Sequence, residues 1–130
     1  NLSGSNLSGG YLRYANLSGA NLSGASLIQV DLKGANLSGA NLSKVDFRGA
    51  DLSKADLTAA DLKGANISQV SLKEVIFSDV DLSKVDLSQA TLKGANLSKA
   101  NFSNVDFAGV DLSGVSLAGA NLKGLDFTGA

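Results

Sequence analysis

The sequence predicts an all-β solenoid, a chain that corners once per short repeat and stacks its turns on one another. Three observations predict it. Leu, Phe or Ile recurs at every fifth position from Leu2 to Phe127 without a break, giving 26 such centres in 130 residues. The last position of each five-residue unit, two before the following centre, holds 14 Ala and 9 Val, with Leu125, Ser5 and Gly10 as the exceptions. Proline, which would delete a backbone donor from a ladder, is absent. A period of five fits neither regular element. A helix would rotate successive centres by about 140° and smear them around its axis, and a continuous strand would alternate them between its faces.

The five positions can be justified in chain order. The small residue and the centre stand two apart, so an extended segment carries both on one face, which must be the inner one. Between them lie 10 Asn and 10 Asp, an outward row with hydrogen-bonding capacity. After the centre comes Ser in 14 repeats and Lys or Arg in 7, and then Gly in 14, a pair suited to the middle of a four-residue turn. Gly at the third turn position supplies a positive φ. Where Lys44, Lys54, Lys84, Gln69 or Gln89 replaces it, a different corner type is expected. Corners of one hand at a fixed interval wind the chain into coils whose backbones can pair at ~4.8 Å.

Composition excludes several kinds of chemistry. With no Cys, His, Met or Trp in the chain, a disulfide framework, a zinc site or histidine-based catalysis has no residues to build from, and no cofactor is expected. A serine nucleophile would need a base held in a pocket, and a filled narrow solenoid offers none, so no enzymatic activity is expected. Eleven Lys and Arg stand against twelve Asp and Glu, a net charge of −1, which argues against direct nucleic-acid binding. No run approaches the ~18 apolar residues of a membrane span. Nine Asn-x-Ser sequons follow from the repeat itself. Glycans at that density would obstruct the stack, so a soluble, cytoplasmic setting is expected. Residues 1–130 read as one module, and a first residue of Asn1 suggests a piece of a longer chain.

Repeats such as Ala20-Asn21-Leu22-Ser23-Gly24 and Ala50-Asp51-Leu52-Ser53-Lys54 resemble the A-(D/N)-L-x-x units of pentapeptide repeat proteins, and the resemblance covers the whole chain. It implies a right-handed quadrilateral β-helix with four pentapeptides per coil, hence about 6.5 coils and a length of ~31 Å. One feature points elsewhere: Asp31-Leu32-Lys33-Gly34, Asp61-Leu62-Lys63-Gly64 and Thr91-Leu92-Lys93-Gly94 recur at a lag of 30. In a four-sided coil that lag alternates copies between opposite faces, as duplication history would. The style of the array resembles bacterial, particularly cyanobacterial, members.

Specificity must lie on the outer faces. On a four-sided map, one face carries Asp46, Asp86, Asp106 and Asp126 against Arg48 alone. The resemblance attaches a function to such a column, because some family members imitate B-DNA and inhibit type II topoisomerases such as gyrase. The plainer reading is a solvated Asp row serving the repeat's own backbone. Tyr11-Leu12-Arg13-Tyr14 is the sharpest departure from the repeat, with residue types enriched in binding hot spots at outward positions. Ile28 and Ile76 also interrupt outward rows, and Ser18, Ser38, Thr58, Ser78 and Ser98 line up as a hydroxyl ladder. At the C-terminal end, Leu125 and Phe127 enlarge the inner rows. The resemblance adds end-to-end pairing through that end, so either a homodimer or continuation of the solenoid is expected. The functional expectation is a protein-interaction scaffold or rigid spacer with a protein partner; the alternative is the DNA-like topoisomerase inhibitor.

Overall fold

A computed structural model of the chain describes every residue except Ser88. Backbone pairing repeats at a fixed lag: Asn16, Asn36, Asp56, Ile76, Asn96 and Ser116 form one unbroken series of parallel bridges, each link spanning 20 residues. Asn6, Ser26, Asp46 and Asn66 form another. Four pentapeptides therefore close one coil, and the 30-residue sequence period sends its copies to opposite sides. The sheet consists of single-residue bridges because the chain corners before a second residue can pair, and there is no helix among the described residues. None of the chain is helix long and apolar enough to cross a membrane, among the residues described. Walls 1 to 4 are named here by their first centres, Leu2, Leu7, Leu12 and Leu17, each wall recurring every 20 residues.

The pentapeptide 41–45 shows why this geometry is stable without a single long strand. The Asn41 amide donates back to the Ala20 carbonyl (2.9 Å), while those of Leu42 and Lys44 donate forward to Asp61 (2.8 Å) and Lys63 (2.9 Å). The Val45 amide closes the corner on the Leu42 carbonyl (3.1 Å). The remaining amide, of Ser43, donates to the Asn41 side-chain oxygen (3.0 Å). All five donors are satisfied, as a buried or half-buried backbone requires. The fifth is satisfied only because the residue before the centre carries a side-chain acceptor.

Inside, the centres are buried from Leu22 to Phe107, and the small row is buried from Ala25 to Val110 except at Ala65 and Ala90, which are partly buried. No polar or charged residue is buried among those described. Small residues at alternate positions leave room for Phe47, Phe77, Phe102 and Phe107, each fully buried. The Phe102 and Phe107 rings pack tilted at 5.2 Å, and Phe107 stacks on Phe127 at 5.8 Å, spanning two coils of wall 2. The end coils are looser, with Leu2, Leu122 and Phe127 between 36% and 40% exposed.

The corners correct one expectation. Glycines at the third turn position have φ from +64° to +74°, but Lys44 (+57°), Lys54 (+61°) and Gln69 (+59°) adopt the same left-handed conformation. The corner-closing bond is also kept, from Val45, Ala55 and Val70 and likewise after Lys84 and Gln89. Lys84 keeps its closing bond without a positive φ, so the expected different corner is found there, whereas at Lys44, Lys54 and Gln69 the stack imposes the left-handed conformation against a local cost of roughly 1–2 kcal/mol per residue. The side chains of these corner residues lean over the following coil. A Cβ on Gly49, Gly64, Gly94 or Gly119 would meet the Cγ of Gln29, Lys44, Glu74 or Lys99 at 3.2–3.6 Å, so bare corners often lie beneath occupied ones.

Candidate functional surfaces

The acidic column lies on wall 2, where the lag of 20 places it. Its carboxylates are engaged before any partner arrives. Asp46 accepts from the Arg48 amide (3.2 Å) and is gripped by the Arg48 guanidinium, Nη2 to Oδ2 at 2.7 Å. Asp106 accepts from the Ala108 amide (2.8 Å) and Asp126 from the Thr128 amide (2.8 Å) and hydroxyl. Asp86 is engaged as well. Asp106 and Asp126 stand in directly bridged positions, carboxylate above carboxylate. The Arg48 side-chain bonds hold Asp46 below the usual carboxylate range, and the Thr128 hydroxyl and amide do the same for Asp126. These groups stay ionised well into acid, and Asp46 carries its own countercharge.

Tyr11 and Tyr14 are 88% and 75% exposed on wall 3, and they behave differently. Tyr14 occupies a left-handed corner (φ +56°) and lays its ring across Gly34, where a Cβ would fall 2.6–2.7 Å from ring carbons. Arg13 between them donates its Nε–H to Asp31 in the next coil, and this bond depresses the Asp31 pKa. The trio is thus one fixed ring, one guanidinium tied at a single nitrogen and one outward ring.

Other sequence candidates change character in three dimensions. The hydroxyls of Ser38, Thr58 and Ser98 turn back onto Asn36, Asp56 and Asn96 at 2.6–2.7 Å, and that of Ser98 also meets the Ser116 hydroxyl of the next coil at 3.2 Å. Ile28 and Ile76 are half-buried. Leu125 is partly buried and Phe127 is 40% exposed at the C-terminal end of the stack. Among the described residues no cluster of acids is arranged to hold a metal ion. Surface depressions are shallow. One that sequence reasoning missed, of about 240 Å³, lies on wall 1 between Asp61, Lys63, Asp81, Ser83, Lys84 and Val85. Its signal was present as two Asp at a lag of 20, but the lag itself had to be known first.

The family model described as pentapeptide repeats (8 copies) matches residues 1–39, 40–79, 76–114 and 95–130. The chain belongs to the pentapeptide repeat family. A crystal structure of a pentapeptide repeat protein from Nostoc Pcc 7120 is 32% identical, with a TM-score of 0.54 over 86% of this chain and 84% of that one. QnrB1, a plasmid-mediated fluoroquinolone resistance protein, is 28% identical with a TM-score of 0.68 over 98% of this chain and 65% of that one. A pentapeptide repeat protein from the Arabidopsis thaliana thylakoid lumen is 33% identical, with a TM-score of 0.46 over 81% of this chain. The chain spans 66% and 65% of the lengths of the thylakoid and QnrB1 structures. No curated protein sequence matches the chain significantly. Pentapeptide repeat proteins are generally non-catalytic structural or interaction proteins.

Proposed function

We propose that this pentapeptide repeat chain is a non-enzymatic protein-interaction scaffold or rigid spacer. It would be wound as a right-handed, four-sided β-helix of 130 residues at 20 per coil, or about 6.5 coils. The observation that carries the reading is the division of labour within each repeat. Centres and small residues fill the interior, and the Asn or Asp row is spent on its own backbone. Only the two turn positions and a few outward substitutions remain to distinguish one face from another. Repeating flat columns of this kind suit contact with a protein surface. Tyr11, Arg13 and Tyr14 are the proposed contact residues, since two exposed rings and a guanidinium with free N–H groups combine area with directional bonding.

A second reading is favoured by the likeness to QnrB1: a DNA-like occupant of a type II topoisomerase, presenting Asp46, Asp86, Asp106 and Asp126. A duplex offers about one charge per ~1.7 Å of axis. Wall 2 offers four acids over the whole stack, with Asp46 already neutralised by Arg48, and this sparseness ranks it second. A DNA supercoiling assay with gyrase separates the readings. The scaffold reading expects unchanged supercoiling at a large molar excess of this protein. Potent inhibition that is lost on replacing Asp106 and Asp126 with Asn would reverse the ranking.

A further inference from the structure

The ladder is not equally complete on all walls. Wall 4 is unbroken: Leu57, Phe77 and Leu97 each donate forward to the next coil at 2.8 Å, and bridges run from Asn16 to Ser116. On wall 1 the same coils part. Asp61 bridges Asn41 but, among the described residues, not Asp81, and neither the Leu62 nor the Gly64 amide has a ladder bond to the next coil. One and a half coils further along the chain, on wall 3, Thr91 bridges Ser71 but not Asp111, and the Leu92 amide lacks its forward bond among the described residues.

Two independent features sit at this parting. Ala65 and Ala90 are the only members of the small row between Ala25 and Val110 that are not fully buried, and they flank wall 2 on either side. The 240 Å³ depression opens between Asp61 and Asp81 on wall 1. The core beneath stays closed, with Leu62, Leu82, Leu87 and Leu92 all at or below 1% exposure.

The physical cause lies in the four pentapeptides from Asn66 to Val85, the one such run with Val at every small position, Val70, Val75, Val80 and Val85. Extra methyl groups in a filled interior push the backbone outward. Wall 4 keeps its bridges through Asp56, Ile76, Asn96 and Ser116. Wall 1 loses its bridge between Asp61 and Asp81, while the like-charged pairs Asp31–Asp51 and Asp106–Asp126 stay bridged, so like charge alone does not part the coils.

We infer that the solenoid has a built-in bending point where wall 1 parts between Asp61 and Asp81 and wall 3 between Thr91 and Asp111, hinged on wall 4 and opening on wall 2. Bending there tilts the C-terminal part of the acidic wall, with Asp106 and Asp126, against the first four coils. A partner that grips both parts would select one tilt.

Amide hydrogen exchange on the full chain reads the asymmetry. Leu62, Gly64 and Leu92 should exchange roughly tenfold or more faster than Leu57, Ala59 and Phe77, which belong to the same stretch of the stack. Replacing Val80 and Val85 with Ala should narrow that gap. Paired spin labels separate bending from local fraying. Labels at Arg48→Cys and Ala108→Cys on wall 2 should give a clearly broader distance distribution than labels at Thr58→Cys and Ala118→Cys on wall 4, each pair three coils or ~14 Å apart along the backbone. Equal protection on walls 1 and 4, or equally narrow distributions for the two label pairs, would overturn the hinge.

Discussion

At Asn41 a single carboxamide oxygen takes both the Ser43 amide (3.0 Å) and its hydroxyl (2.7 Å), and the same pattern recurs with Asp at Asp56. The position needs an acceptor, and charge is incidental to it. Asn41→Ala should therefore cost about 1 kcal/mol in thermal or denaturant unfolding, while Asn41→Asp at neutral pH should change stability by a few tenths. The same bonds set the acid limit. Asp31, Asp46, Asp81, Asp111 and Asp126 are all held below the usual carboxylate range by neighbouring donors. Depressed folded-state values mean stability is fully present above the unfolded value of ~3.9 and is lost as pH falls through the folded values. The melting temperature should be flat from pH 8 to about 5 and should fall steadily below about 4; a fall centred near pH 6 would contradict this. Gly34 offers a sharper test. A Cβ there meets the Tyr14 ring, whereas one on Gly24 meets nothing within 4 Å, and both sites have positive φ. Gly34→Ala should destabilise more than Gly24→Ala, and the excess should vanish in a Tyr14→Ala background.

The pentapeptide is the element of this fold, and its inner and outer positions were legible from periodicity alone. Alternation of a small residue and a large centre can be satisfied only if both point inward, and burial of Ala40 at 1% follows that pattern. Ala40→Trp should overpack the interior and cost ~1–3 kcal/mol or more, whereas Ser38→Trp, at a half-exposed turn position, should cost far less. Similar losses for both would refute the assignment of faces. The corner was read less well. Lys44, Lys54, Gln69 and Lys84 were all expected to turn differently from Gly, because residue preference is local; the first three take the left-handed φ of Gly all the same, and Lys84 does not. The serine hydroxyls were likewise read as outward because sequence spacing cannot show a bond two residues back.

For the whole molecule, the lag of 20 decides which residues share a wall. It aligns Asp106 with Asp126, brings Arg13 to Asp31 and stacks Phe107 on Phe127. Wall 2 ends in that stacked ring pair, with Phe127 left 40% exposed and Leu125 beside it partly buried. We propose that this coil is covered either by a second copy or by continuation of the solenoid, since either recovers burial that the stack enjoys elsewhere. Pairing with a second copy predicts concentration-dependent dimerisation in sedimentation that Phe127→Lys abolishes. A monomer at high concentration, indifferent to that substitution, would remove the pairing.

What the sequence determined by itself was the repeat: a five-residue period, two inward rows, an Asn or Asp acceptor before most centres and a turn after each. Those follow from local stereochemistry and from the volume of side chains, which each pentapeptide carries within itself. Tertiary structure decided how many pentapeptides close a coil, because that number depends on backbone bonds between Asn16 and Asn36 or Asp51 and Ser71, residues no local pattern connects. It also decided which acids are countered, which tyrosine is pinned over a glycine and where the ladder parts. Each of these is a relation between residues about 20 apart, and it exists only once the stack has formed.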